Sequence, residues 1–225
     1  MINYNISDIY PLSPIFFDIE TAPLSESEIR AVAPEFKAPK NYKSEEAIAK
    51  YQNEALAEFI ADGGLHAHTG KVIAIGFSVG NREPVVDIDL NDEKRLLETF
   101  WNLIVDEHGA MTHQVIGFNS NNFDIPFLVR RSWVNDVQVP QTIFYRRGGR
   151  MYLNDMFKDV MLEWSCGTME KIKLDTIAKF FGVGAKNGNG ALFYKMVQDD
   201  YERASEYLKN DVRLLPLIAE KMQMV

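Results

Sequence analysis

The chain has 225 residues, 46% of them hydrophobic and 25% charged, with a formal net charge of −8 at pH 7, a balance that excludes a disordered or fibrous chain and suits a globular domain. A single cysteine, Cys166, excludes an internal disulfide, and no run reaches the roughly 18 apolar residues of a membrane span, so no membrane partner and a reducing, cytoplasmic setting are expected. The acidic balance does not exclude an anionic polymer as partner, because residues 125–190 hold ten Lys and Arg against six Asp and Glu and bound cations supply positive charge to an acidic site.

In chain order, Pro14 to Glu20 reads as a short apolar strand ending in acids, stopped by Pro23. Residues 21–42 contain Pro23, Pro34 and Pro39 and read as irregular. Ser44 caps a helix that runs to about Asp62, where Gly63 and Gly64 end it. Lys71 to Val79 is a strongly apolar strand, and Val85 to Leu90 alternates like its antiparallel neighbour, with Gly80 and Asn81 in the turn. Asp92 caps a helix with Leu96, Leu97, Phe100, Leu103 and Ile104 on its apolar face.

Gln114 to Phe118 is another buried strand, and a helix begins at Asn121 or Asn122 and runs to about Asn135. After an arginine-rich connection, a strand near Met151–Leu153 precedes helices at about 155–164, 174–181 and 199–222. The order implies α/β architecture, a mixed β-sheet flanked by helices. We expect one domain over 1–225, with a helical arm inserted after the first strand at about 21–70.

Asp18 and Glu20 lie two apart on a strand, so their side chains share a face. Acids at the end of an apolar strand are paired, solvated or bound to a cation. Asp124 follows the second buried strand; it is either a favourable first-turn charge of a helix or a partner in the same site. Neighbouring strands lie about 4.8 Å apart, so acids beyond their ends can share an ion. Tyr207 and Asp211 stand one helical turn apart on the last long helix and share a face, which is either a core stripe or a third contribution to the site.

Taken together, these residues resemble the DEDD superfamily of 3′–5′ exonucleases. Phe16-Phe17-Asp18-Ile19-Glu20-Thr21 is similar to its first motif. Asn119-x-x-x-Phe123-Asp124-x-Pro126 is similar to the second, in the form found in the proofreading domain of family B DNA polymerases. Tyr207-Leu208-Lys209-Asn210-Asp211 is similar to the third, in its tyrosine version; Glu206 stands where the histidine branch has His. Residues 38–43, Leu174-Asp175, Phe181-Gly182 and Lys186 further resemble the stand-alone polymerase-B-like exonucleases.

The resemblance implies a ribonuclease H-like fold and metal-dependent hydrolysis of phosphodiester bonds at the 3′ end of single-stranded DNA, releasing nucleoside 5′-monophosphates. It implies two Mg²⁺ or Mn²⁺ ions, which suit hard carboxylate ligands. Asp18, Glu20, Asp124 and Asp211 would be the ligands, and Tyr207 would orient the attacking water. Thr21 and Phe123 would position the terminal nucleotide, with Asn119 and Asn122 nearby and Lys186 reaching a phosphate. Two alternatives remain: an exoribonuclease, or a silent nuclease-like binding module. The four carboxylates and the tyrosine favour activity.

Arg130, Arg131, Arg146, Arg147, Arg150, Lys171, Lys173, Lys179 and Lys186 line one groove or form a solvated face; Arg146 and Arg147 are taken as substrate-binding. His66-x-His68 has no further ligand at metal spacing and reads as a loop pair. The glycines from Gly182 to Gly190 lack a phosphate-loop ending and read as a helix cap and loop. Cys166 reads as a small core residue, and the three tryptophans as core or partly buried, with Trp133 able to stack on a base.

Overall fold

The structure is a computed structural model that describes residues 12–225; the start of the expected domain, residues 1–11, lies outside the described residues. Its centre is strand β1, Leu12–Pro23. Side chains alternate across a strand, and here both faces are covered: Ile15, Phe17 and Ile19 enter one apolar core, Phe16 enters another. Asp18 and Glu20 share the parity of Phe16 and therefore point to the second face.

β1 pairs antiparallel with β2 (Gly70–Val79), which pairs antiparallel with β3 (Val85–Ile88). On its other side β1 runs parallel to β4 (His113–Gly117), and β4 runs parallel to β7 (Phe157–Asp159). The sheet order is β3-β2-β1-β4-β7, mixed as expected. The register of β1 on β2 slips between Glu20 and Thr21, which bends the strand where its acids emerge.

Helices α3 (Glu93–Ile104) and α4 (Asp124–Val134) cover the first face. α5 (Val160–Ser165), α6 (Leu174–Phe181), α7 (Phe193–Asp199) and α8 (Tyr201–Lys221) cover the second. α8 lies close on the sheet because β2 offers Gly76, whose missing Cβ would sit 2.8 Å from Leu208 Cγ and 2.9 Å from Val212 Cγ2. Any side chain there would lift the helix. Among the described residues no helix is long and apolar enough to cross a membrane.

The inserted arm carries two helices, α1 (Glu26–Val32) and α2 (Glu45–Ala61). α2 has the expected Ser44 cap. α1 corrects the expectation of an irregular 21–42. Ser25 and Glu28 form a reciprocal capping box, a Ser-x-x-Glu signal overshadowed by the neighbouring prolines. Residues 155–164 are also not one helix. β7 comes first, and its last residue, Asp159, caps α5 by accepting from the Met161 N–H. The expected final helix is α8, capped by Asp200 in an extended conformation, and a short helix not expected from the sequence, α7, precedes it. The arginine-rich connection is strand β5 (Phe144–Arg147), which forms a hairpin with β6 (Arg150–Leu153).

Two side chains depart from their expected setting. Arg131 is buried, donating from Nε and Nη2 to the Glu93 carboxylate at 2.9 and 2.6 Å and from Nη1 to the Ala67 carbonyl. Glu93 also accepts from the Val72 amide and the Asn135 side chain. This pair joins α3, α4, β2 and the exit of the arm, so Arg131 is absent from any groove. Cys166 is exposed at the left-handed C-cap of α5 rather than in the core.

Candidate active site

The second face of β1 and the buried face of α8 meet over a cleft of about 740 Å³. Asp18 and Glu20 reach it from β1, Asp124 from the start of α4, and Tyr207 and Asp211 from α8. Ligand oxygens of Asp18, Glu20 and Asp211 all lie within 4.8 Å of one another. Asp124 stands apart from that trio: it lines the same cleft, but its Oδ1 accepts the Ile19 N–H at 3.2 Å. That bond fixes the first turn of α4 against β1.

Three carboxylates this close repel one another, and burial penalises their charged forms further. Asp18 is raised well above the usual carboxylate range by burial and then by Asp124, Glu20 and Asp211. Glu20 is raised well above it by burial and by Asp211. Asp124 is pushed up to about 7 by burial, against the opposing Ile19 hydrogen bond. Asp211 is raised by burial, although Lys186 offsets part of the effect. Lys186 Nζ lies 2.5 Å from Asp211 Oδ2, an ion pair at the edge of the trio.

The Tyr207 hydroxyl is buried and meets no hydrogen-bond partner of good geometry among the described residues, and Asp211 meets only the Lys186 ammonium. Buried carboxylates clustered in this way are a setting in which a bound cation supplies compensating positive charge. An all-oxygen donor set of this kind fits a hard divalent ion such as Mg²⁺ or Mn²⁺. The glycine-rich segment after α6 closes over the tyrosine. A Cβ at Gly188 would meet Tyr207 Cδ2 at 2.7 Å, and one at Gly190 would approach the Tyr207 hydroxyl and the Glu20 carboxylate. This loop, read from the sequence only as a segment following the helix cap, therefore lines the cleft through Gly188, Asn189 and Gly190.

Asn119, Phe123, Lys171, Lys173, Lys179 and Lys186 also line the cleft. Asn119 sits in the left-handed region with φ of 58°. Its N–H and that of Asn121 donate to the two carboxylate oxygens of Asp159 at 2.9 and 3.0 Å. Asp159 thus holds the loop that carries Asn119 to Phe123 and was missed from the sequence; its signal was the alternation Phe157-Lys158-Asp159 beside β4. Thr21 lies outside the cleft lining and donates its hydroxyl to the Gly64 carbonyl at 2.7 Å, anchoring the arm.

Asn122 lines a second concavity that shares Phe123 as a wall. Arg146 and Arg147 are on the exposed β5–β6 hairpin. The hairpin springs from the sheet end where β4 and β7 begin, while the acids lie beyond the opposite end. The structure does not bring this arginine pair to the cleft.

No curated protein sequence matches the chain. Among solved structures, the family B DNA polymerase from the hyperthermophilic archaeon Pyrobaculum calidifontis superposes with a TM-score of 0.59 at 18% identity, over 95% of this chain. This is a likeness of fold, and the chain spans 25% of that polymerase. A family model of the RNase_H superfamily matches residues 61–223, from the end of the arm through Asp124, Tyr207 and Asp211. The chain belongs to the RNase_H superfamily, as its mixed five-stranded sheet and flanking helices agree.

Proposed function

We propose that this protein is a metal-dependent 3′–5′ exonuclease of the tyrosine branch of the DEDD group, acting on single-stranded DNA. The observation that carries this reading is the convergence of Asp18, Glu20 and Asp211, with ligand oxygens within 4.8 Å, beside the unpartnered hydroxyl of Tyr207. Asp18, Glu20 and Asp211 would hold divalent cations, with Asp124 completing the set through its oxygen not engaged by Ile19. Two such ions, when bound, stabilise charge on the attacking and leaving oxygens of an in-line displacement at phosphorus.

The chain's own groups then have separable tasks. The Tyr207 hydroxyl is held protonated, because burial and the carboxylates Asp211 and Glu20 push it up from its ordinary value. It therefore orients a water and does not remove its proton. Lys186 stands at the carboxylates ready to take a phosphate oxygen. Asn119 and Phe123 sit on the cleft wall where the terminal nucleoside would rest. Lys171, Lys173 and Lys179 give the acidic cleft a basic rim that attracts the strand.

The test is a Mn²⁺ titration with 5′-labelled single-stranded DNA and RNA, each with a free or a blocked 3′ end. The expected result is a ladder shortening from the free 3′ end, faster on DNA, and silent in excess EDTA. Equal digestion of the blocked strand, or full activity in EDTA, would overturn the proposal.

A further inference from the structure

Three sequence features without a task in the cleft come together elsewhere. His66 and His68, Arg130 and Trp133 line one concavity of about 670 Å³, together with Leu65 and Phe127. One wall is a face of α4. Phe127, Arg130 and Val134 recur at helical spacing along it: Phe127 is buried at its base, Arg130 and Val134 are exposed, and Leu128, Val129 and Ser132 turn into the core. The other wall is the exit of the arm, where the His66 and His68 rings stack at 5.6 Å. Trp133 is 62% exposed, against the expectation of a core or partly buried residue, and nothing in the described chain covers it.

This concavity adjoins the acid cleft. Phe123 lines both, and its ring stands 5.5 Å from that of Phe127. The two sides differ in chemistry. The cleft carries the carboxylates suited to a phosphodiester; the neighbour has no carboxylate in its lining, but has aromatic rings and one arginine. A strand whose last phosphodiester lies at the acids must continue out of the cleft. Unstacked bases favour exposed aromatic faces, and their phosphates favour arginine.

Resting on the exonuclease reading, we infer that this concavity is a base-binding subsite for the single strand on the far side of Phe123 from the acids. Trp133 is its stacking surface, Arg130 its phosphate contact, and the inserted arm supplies its second wall through Leu65 to His68. The occupant is a nucleic-acid strand, and the contact is with bases in general, since a ring face reads no sequence.

The experiment compares two substrates in Mn²⁺: a single-stranded hexanucleotide and the p-nitrophenyl ester of thymidine 5′-monophosphate, which offers a phosphodiester but one base. Trp133→Ala should raise KM for the hexanucleotide by roughly 5–150-fold, with the ester unchanged. Trp133→Phe should restore most of the loss. Arg130→Ala should raise the hexanucleotide KM less, and by a factor that shrinks as salt increases. If Trp133→Ala leaves both substrates at wild-type values, the subsite is refuted while the exonuclease stands. If the wild type hydrolyses neither substrate, the nuclease reading fails and the subsite with it.

Discussion

Lys186 places its ammonium 2.5 Å from Oδ2 of Asp211 and 5.2 Å from the ring centroid of Tyr207. It thus neutralises one of the carboxylates that a divalent ion would claim. Burial disfavours its charge, but Asp211 outweighs burial and holds the ammonium above its ordinary range. Lys186→Met should therefore bind Mn²⁺ several-fold more tightly, because a competing cation is gone. The same variant should hydrolyse DNA more slowly, having lost its phosphate contact. Calorimetric metal titration and single-turnover rates read the two effects separately; weaker metal binding by the variant would contradict the competition.

Tyr207→Phe removes a buried hydroxyl that has no well-formed hydrogen bond among the described residues. Its melting temperature should match or slightly exceed that of wild type, since an unsatisfied polar atom is lost. Catalysis should fall by about 10–10³-fold in kcat, as loss of an orienting bond does. Because the phenol is already pushed above its ordinary value, the alkaline limb of the pH–rate profile should not move. A wild-type kcat in the variant, measured where chemistry limits the rate, would make Tyr207 a packing residue.

Metal-free protein should lose stability as pH rises from about 4 toward 7. The carboxyls of Asp18, Glu20, Asp124 and Asp211 are all raised in the fold, Asp124 to about 7. Between the unfolded values and these, the native state holds more protons than the unfolded chain, so unfolding free energy declines with pH. Melts in EDTA should be higher at pH 5 than at pH 8, and Mg²⁺ should narrow the gap. Asp18→Asn, having no charge to bury, should flatten the profile. A metal-free melt that rises with pH would reverse the sign we assign.

Arg131→Ala should destabilise the fold by about 3–5 kcal/mol, because it leaves Glu93 as an unpaired buried carboxylate. Both side chains are largely sealed, at 5% and 8% exposure. Replacing the pair together, Glu93→Leu with Arg131→Met, should recover much of that loss. Chemical denaturation of the two variants checks this; equal destabilisation in both would mean that the Val72 and Ala67 contacts matter more than the charge pair.

Charge reversal at Arg146 and Arg147 should leave the hydrolysis of a hexanucleotide unchanged, because the hairpin projects from the sheet end away from the acids. A raised KM on so short a strand would show that the hairpin folds back over the cleft.

The acids were legible in the sequence because apolar runs deliver them. Ile15-Phe16-Phe17 fixes both the strand and the parity of Asp18 and Glu20, and one helical turn fixes Tyr207 relative to Asp211. Periodicity does not tell which neutral face a residue meets. Arg131 and Arg130 are adjacent, yet one closes on Glu93 and the other lines an open concavity. Trp133 was ambiguous for the same reason, since a helix stripe reads alike whether another element covers it or not. Asp159 escaped because an alternation of only three residues, Phe157-Lys158-Asp159, is too brief to stand out, and the loop it holds lies about forty residues earlier. The Lys186–Asp211 pair depends on how the glycine-rich loop folds back, which local pattern does not encode.

The seat that Gly76 provides for α8 has a consequence for how the protein comes into being. Asp18 and Glu20 belong to the first described strand, Tyr207 and Asp211 to the last helix, and that helix can dock only on a strand already in place. Chains fold progressively from the N-terminal side as they leave the ribosome, so a chain halted before α8 carries Asp18, Glu20 and Asp124 with nothing opposite them. The acidic cluster is thus assembled only once α8 has docked, and a fragment trimmed within α8 would retain most of the sheet while lacking the Asp211 side of the cleft.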